Sequence, residues 1–243
     1  MILDIYKDSF EYSAKDWKTL IILGVFCLFS FLLIPAFLIT GYIYRVIDTA
    51  VHGVINGRDP LPDFEDPISM FIDGVKVVIV QIGYMIVPMI IFLIFVLIAK
   101  NLNGVLSTAT MLIGSLITLV IGIIASLMTQ MGICHMAHNE GAFSKAFAIG
   151  EIKEAIDDIG WFKSLITYIG LIIITLVIYL VVTFIIGLIF AVFGISGTML
   201  GVNSSGIFVL GAIINSLVTM FIVGPYLGIF NARSFGLLYS MQI

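Results

Sequence analysis

Two histidines near the end of a long apolar run are the first residues whose spacing could support chemistry. His135 and His138 are three positions apart, so they share one face of a helix, and Glu140 follows them. Imidazole is a common zinc ligand, but a zinc site needs more than two ligands, and the chain contains no HExxH arrangement. We therefore interpret the two histidines as an interfacial polar pair, and a metal centre is the less favoured alternative.

The acidic turn RDPLPDFEDP, residues 58–67, is a second candidate. Within eight residues it carries four carboxylates, those of Asp59, Asp63, Glu65 and Asp66. Oxygen ligands suit a divalent cation, yet the spacing does not match the fixed positions of an EF-hand loop. We favour a solvated turn braced by prolines, in which contact with a protein partner is as credible as contact with a cation. Asp66 before Pro67 also predicts a helix start, with Asp66 as the N-cap.

A third candidate is the pair Arg45 and Asp48, which lies at the end of the first apolar run. Charges at membrane depth are costly, and such residues are functional candidates for that reason. The spacing of three also predicts an ordinary ion pair across one helical turn. Because Arg45 is near the interface, we favour a structural role in which its charge snorkels to the headgroups. We expect the same of Arg233 at the last span.

The elements that position these residues are membrane helices. The chain of 243 residues is 61% hydrophobic and only 11% charged, and no Asp, Glu, Lys or Arg occurs from Ser164 to Ala232. A bilayer core about 30 Å thick takes roughly 20 helical residues, so this stretch suits two crossings and a turn. The composition excludes an ordinary soluble domain, and the lack of a basic block argues against nucleic acid as a partner.

Polar side chains inside the apolar runs are few and uncharged, and they include Gln81, Gln130 and Thr175. An ion-coupled transporter normally needs an ionisable residue in its pathway, and none lies in the middle of these runs. The chain also lacks Walker, Rossmann, nucleophile-elbow and zincin motifs. Nothing in the sequence therefore predicts a cofactor or an enzyme activity.

The apolar runs predict helical hairpins. The long stretch divides at a Gly- and Ser-rich turn, residues 194–206. The resulting charge-free segments are residues 19–44, 77–99, 105–136, 164–193 and 206–230. Proline removes a backbone donor and clashes with the preceding turn, so Pro35 favours a break in the first segment near Ser30 to Pro35.

The positions of Lys and Arg support that break, because positive residues near span ends are retained in the cytoplasm. If residues 19–44 cross once, four of the 11 Lys and Arg residues lie outside, whereas a hairpin leaves only Lys100 there. We therefore predict an all-α integral membrane protein that forms one membrane domain over residues 1–243. It has about six membrane helices in three hairpins, the first short or re-entrant, with interfacial amphipathic helices and both termini cytoplasmic. Five transmembrane helices are the alternative.

Each hairpin follows a charged amphipathic stretch, which predicts three parallel repeat units at residues 1–57, 58–141 and 142–243. In the last unit, Ile152, Ile156 and Ile159 lie on one helical stripe. Such a helix either lies in the headgroup region or packs under the bundle as a simple cytoplasmic helix. The sequence leaves both arrangements open.

The segment from Gly41 to Lys76 resembles a known family. GYIYRV at Gly41, the acidic turn and FIDGVK before the second hairpin are similar to archaeal multi-pass proteins of the domain of unknown function 4013 family. The resemblance covers nearly the whole chain, although the C-terminal half is similar mainly in hydropathy. It implies an integral protein of the cell membrane with no established activity.

These features favour a non-catalytic protein that organises the membrane or binds a partner. Besides the lipid bilayer, that partner is an unidentified protein or a second copy of the chain. The alternative is a permease for an apolar or lipid-like substrate, which needs no ionisable residue in its pathway. A membrane enzyme that uses the acidic turn or the histidine pair is the least favoured hypothesis.

Overall fold

The structure is a computed structural model in which residues 2–57, 59–199 and 205–242 are described. Those residues form helices and short connections without a strand. The α-helices of the described part are, in chain order, α1 (Ile2–Ser13), α2 (Trp17–Leu28), α3 (Leu33–Val51), α4 (Pro67–Lys100), α5 (Gly104–His138), α6 (Ile149–Ile159), α7 (Trp161–Met199), α8 (Ser205–Val218) and α9 (Gly224–Tyr239). Short 3₁₀ helices cover Phe143–Phe147 and Ser240–Gln242, and a π-helical turn covers Thr219–Val223.

Five helical segments in the described part are long and apolar enough to cross a membrane: α3, α4, α5, α7 and the continuous segment Ser205–Gln242. The predicted all-α membrane bundle is therefore confirmed. The remaining apolar helix, α2, has 12 residues, which span about 18 Å and so fall short of a bilayer core. The hairpin of α2 and α3 is thus the short one, as the sequence predicts.

The first apolar run breaks just before Pro35. α2 ends at Leu28, and in the turn that follows the Leu32 amide donates to the Phe29 carbonyl at 2.9 Å. α3 begins at Leu33, which places Pro35 in its first turn. The first amides of a helix have no acceptor within the helix, so a proline at this position leaves the ladder intact.

α3 and α4 cross at two glycines with almost no space between their backbones. A Cβ on Gly41 would lie 1.8 Å from the Met70 carbonyl oxygen, and a Cβ on Gly74 would lie 1.9 Å from the Phe37 carbonyl oxygen. Only glycine permits this approach, and small residues at helix crossings are common in membrane proteins. The crossing fixes the end of α3 against the start of α4.

The packed core lies at one end of the bundle, which we call the base. The base comprises α1, α6, residues 52–57 and 59–66, and the adjoining ends of α3, α4, α5 and α9. α1 packs along α9, so the N-terminal and C-terminal helices lie at the same end. α6 buries Ile152, Ile156 and Ile159 in the protein. Of the two arrangements that the sequence leaves open, α6 therefore adopts the second, a helix packed under the bundle.

Beyond the base, the long helices form two projecting hairpins. α4 pairs with α5, and α7 pairs with α8. The outer halves carry exposed apolar side chains such as Ile90, Leu112 and Leu180. Helices with apolar exteriors and internally satisfied backbones are suited to contact with lipid.

The C-terminal third differs from prediction in its helix ends. α7 continues to Met199, past the predicted start of the turn at Gly194, and residues 200–204 of that turn lie outside the described residues. The last helix continues to Tyr239. A π-helical turn precedes Pro225. Because a π-helical turn is wider than an α-helical one, it accommodates the proline ring, which would otherwise clash with the backbone one turn earlier.

Candidate functional site

The base contains a buried ion network centred on Arg233. This side chain is fully buried, with Nε 2.9 Å from Asp8 Oδ1 and Nη2 2.8 Å from Asp59 Oδ2. The contact with Asp8 is an aligned hydrogen bond, whereas the contact with Asp59 is an ion pair without that alignment. The prediction that Arg233 snorkels is wrong, because both carboxylates meet it inside the protein. A buried charge is tolerated when it is paired in this way.

The network fixes α1 to the rest of the bundle. The Asp8 carboxylate also accepts a hydrogen bond from the backbone N–H of Asn56 at 2.6 Å. The Arg233 guanidinium lies 4.6 Å from the centre of the Tyr12 ring. The second contact is a cation–π interaction. Asp8 is not among the site residues predicted from the sequence, although its position does carry a signal. Asp8 shares one helical face with Ile5 and Tyr12, which is the buried face of α1.

Two tyrosines hold the segment 59–66 by its backbone. The Tyr12 hydroxyl donates to the Pro60 carbonyl at 2.9 Å, and the Tyr42 hydroxyl donates to the Pro62 carbonyl at 3.0 Å. Burial raises the pKa of Tyr12 to about 12, so the phenol keeps the proton that it donates at neutral pH. The segment is therefore positioned by neutral donors from α1 and α3.

Arg45 holds the acidic turn in the same manner. Its guanidinium donates to the carbonyls of Asp63 at 3.1 Å and Asp66 at 3.0 Å, and also to that of Glu65. The side chains of these three residues stay exposed. Asp66 also accepts a hydrogen bond from the Ser69 amide at 3.1 Å, so the predicted N-cap is confirmed. Arg45 thus fixes the backbone of the turn while the carboxylates of Asp63, Glu65 and Asp66 stay exposed.

Asp48 does not pair with Arg45. Its carboxylate lies 3.7 Å from Nδ1 of His52, one helical turn later. The predicted ion pair between Arg45 and Asp48 is wrong, because the guanidinium reaches the acidic turn instead. Carbonyl oxygens in that turn supply several acceptors at once, whereas Asp48 offers a single exposed carboxylate.

Both predicted histidines lie beside the Tyr239 ring, with ring centres 6.1 Å away for His135 and 5.8 Å away for His138. His135 Nδ1 lies 2.5 Å from the Tyr239 hydroxyl, and Nε2 lies 2.9 Å from Glu151 Oε2. Lys145 Nζ lies 2.8 Å from that same oxygen. Hydrogen bonds from Lys145, and then from His135, hold the pKa of Glu151 below its usual value. This chain of contacts joins α5, α6 and α9.

His138 faces His52, and the centres of the two stacked rings are 6.1 Å apart. The two predicted histidines therefore do not converge on a shared ligand. Within the part of the chain that the structure describes, no group of three or more His, Cys, Asp and Glu side chains is arranged to hold a metal ion. The ion pairs of Arg233 and Glu151 link the helices of the base to one another.

The helices that build the crossing and much of the base also match a family. The model for "Protein of unknown function (DUF4013)" matches residues 28–191, which is more than half of the chain. The chain belongs to the DUF4013 family. The resemblance of the segment from Gly41 to Lys76 is thereby confirmed. No curated protein and no solved structure matches the chain.

In this DUF4013 protein, the bundle also encloses an apolar cavity of about 500 Å³. It lies between α7 on one side and α3, α4, α5 and α9 on the other. Most of its wall is apolar, with side chains such as Ile43, Val77, Ile133, Leu171 and Phe235. The cavity lies above the base, where α7 stands away from the tightly packed helices.

The polar groups of this cavity are uncharged. Asn231 Nδ2 donates to Thr175 Oγ1 at 3.2 Å, which links α9 to α7. Gln81 and Gln130 line the same cavity, and their amides make no hydrogen bond to another described residue. Gln81 is exposed and Gln130 is half-buried, so both amides are available to a ligand. The sequence marks both as polar positions but gives no sign of the cavity.

Proposed function

We propose that this protein is a non-catalytic integral membrane protein that binds an apolar, lipid-like molecule in the cavity between α7 and the α3, α4, α5 and α9 group. Binding of this kind is the first step that a permease for such a substrate must perform. The observation that carries the proposal is an uncharged, mostly apolar cavity inside a bundle of membrane helices.

The size and lining of the cavity support this proposal. A volume of about 500 Å³ falls within the range of roughly 300 to 1,000 Å³ that small-molecule sites occupy. Such sites are mostly apolar with a few placed polar groups, and every lining side chain here is uncharged. A charged ligand would lose its hydration without gaining a counter-charge, so an uncharged ligand is favoured.

The bilayer supplies such a molecule directly. Ile172 and Leu176 of α7 line the cavity and are also 43% and 56% exposed. Gln81 of α4 also lines the cavity and is exposed. We place the mouth of the cavity between these two helices, where it opens sideways toward the lipid. An apolar ligand then enters without crossing water.

The other functions that the sequence allows have less support. A membrane-organising role through α6 needs an apolar stripe that faces lipid, and the stripe of α6 is buried in the protein. A protein partner at the acidic turn, or a second copy of the chain, stays a prediction. A membrane enzyme remains the least favoured hypothesis. We also propose that the base faces the cytoplasm with both termini, as the distribution of Lys and Arg predicts.

Native mass spectrometry of the purified protein, titrated with monoolein, tests the proposal. Monoolein is an uncharged lipid with one chain. Ile172→Trp fills the cavity from its exposed rim, and Ile173→Trp is the matched control because Ile173 is 54% exposed and does not line the cavity. We expect one bound monoolein in the wild type and in Ile173→Trp, and roughly ten-fold weaker binding in Ile172→Trp. Equal binding in all three proteins, or none in the wild type, would overturn the proposal.

A further inference from the structure

A second recess continues the cavity along α4 and α5. It has a volume of about 640 Å³ and lies in the groove between these two helices. Met85, Pro88 and Phe92 line it from α4, and Leu119 and Gly122 line it from α5. The recess is as apolar as the cavity and lies farther from the base.

The cavity and the recess have common walls. On α4 the lining residues follow one helical stripe, from Val77 and Gln81 in the cavity to Met85, Pro88 and Phe92 in the recess. The stripe on α5 runs through Ile133, Gln130, Ser126, Gly122 and Leu119. Tyr168 of α7 lines both spaces, so it stands at their junction. The two spaces are therefore adjacent, and together they mark out a path along α4 and α5 on either side of Tyr168.

The charges of α4 set the depth of this path in the bilayer. Asp73 and Lys76 precede the apolar part of the helix, and Lys100 ends it. A bilayer core about 30 Å thick then covers roughly residues 79–99 of α4. Gln81 lies just inside one boundary of the core, and Phe92 lies about 16 Å deeper, near the midplane. The path has the depth of one leaflet.

We propose that the cavity and the recess together hold one uncharged, single-chain lipid. Its polar head lies against Gln81 and Gln130, and its tail follows the groove between α4 and α5 past Tyr168. This inference rests on the proposed function, and it adds the chemistry of the head, the orientation of the ligand and the path of the tail. The lipid keeps the orientation that it has in the leaflet from which it enters.

The chemistry of the walls determines the head group. Each glutamine amide offers two donor hydrogens and one acceptor oxygen, which suit a hydroxyl, ester or amide head. A phosphate head would require a cation, and neither space is lined by Lys, Arg or His. Four residues of α4 and six of α5 line the recess, so the two helices form the two sides of a single groove.

Fluorescence quenching tests the path of the tail. Trp17→Phe and Trp161→Phe remove both native tryptophans, and Met89→Trp then places a reporter in the recess, about 12 Å along α4 from Gln81. The matched control carries Ile90→Trp instead, because both side chains are exposed, Met89 to 64% and Ile90 to 49%, and of the two only Met89 lines the recess. The probe is monoolein brominated at its double bond, near the middle of the chain.

We expect the Met89→Trp reporter to be quenched to saturation by one equivalent of brominated monoolein. The Ile90→Trp reporter should show only the gradual quenching of a chain that diffuses in the micelle. The same response from both reporters would overturn the tail path, while binding seen by mass spectrometry would leave the proposed function standing. Absence of monoolein binding to the wild type would overturn both.

A head-group comparison tests the role of the two amides. We expect Gln130→Leu to weaken binding of monoolein roughly ten-fold and to leave binding of 1-octadecene, which has a tail but no polar head, unchanged. A parallel loss of both ligands would show that Gln130 shapes the cavity instead of binding the head. An unchanged affinity for monoolein would place the head elsewhere, and it would overturn the assigned orientation.

Discussion

The buried charge at the base of this protein is paired, whereas two amides that line the cavity are not. At the base, Arg233 meets Asp8 at 2.9 Å and Asp59 at 2.8 Å within a packed core. In the cavity, the amides of Gln81 and Gln130 have no partner among the described residues. Paired buried groups hold a fold together, whereas unpaired groups around a cavity are available to a ligand.

The difference separates residues that stabilise the bundle from residues that recognise a ligand. Both sets are polar and both lie among apolar helices, so residue type alone does not distinguish them. Their partners do. We therefore expect opposite responses to mutation, with large losses of stability at the base and small changes in the cavity.

Arg233→Met should lower the stability of the fold most. It leaves the carboxylates of Asp8 and Asp59 buried or half-buried without a counter-charge, and removal of one partner from a buried ion pair costs about 3–5 kcal/mol. Thermal unfolding in detergent, followed by circular dichroism, should show a large fall in Tm. Lys153→Met, at an exposed position on α6, is the control and should keep the wild-type Tm. Equal Tm values for the two variants would show that the ion network of Arg233 does not stabilise the fold.

Gly41→Ala should have the next largest effect. The added Cβ would lie 1.8 Å from the Met70 carbonyl oxygen, so α3 and α4 must move apart. Overpacking of this kind typically costs about 1–3 kcal/mol. Gly187→Ala is the matched control, since a Cβ there meets nothing within 4 Å. Chemical unfolding should separate the two variants, and identical unfolding midpoints would contradict the close crossing.

Glu151→Gln should have a smaller effect that depends on pH. The folded-state pKa of Glu151 is lowered, chiefly by Lys145, so its ion pair stabilises the fold above the ordinary carboxyl pKa of about 4.3. That contribution is lost as the pH falls through the lowered value. The Tm difference between wild type and variant should therefore have its full size at pH 7 and become smaller below about pH 4. Glu154→Gln, at an exposed position of the same helix, should show no such trend.

Gln130→Leu should change stability least when no lipid is added. An unpaired amide is replaced by an apolar side chain, so we expect a free energy of unfolding within about 0.5 kcal/mol of the wild type, or slightly higher. Added monoolein should raise the Tm of the wild type by mass action and raise that of the variant less. A large destabilisation without lipid would mean that Gln130 belongs with the structural groups of the base.

Local chemistry explains which features the sequence predicts. The break before Pro35 follows from the missing amide of proline, and the N-cap at Asp66 follows from the free amides of a helix start. Long uncharged runs predict the membrane helices for a similarly local reason, since each run must satisfy its own backbone in lipid. These features depend on near neighbours in the chain.

The partners of the charged residues depend on distant parts of the chain. Asp8 and Arg233 are 225 positions apart, so their contact follows from the packing of α1 on α9. Arg45 binds carbonyl oxygens, which have no side-chain signature in a sequence. The cavity has the same origin, because the polarity of Gln81 and Gln130 is visible in the chain while the separation of α7 from α4 is not.

A density map of the protein in lipid nanodiscs that contain monoolein would show the bound lipid itself. We expect one elongated density that begins beside Gln81 and Gln130, passes Tyr168 and continues along the groove to the level of Phe92. This expectation would be contradicted by a map in which α7 closes against α4 and the side chains of Tyr168 and Ile172 fill the cavity.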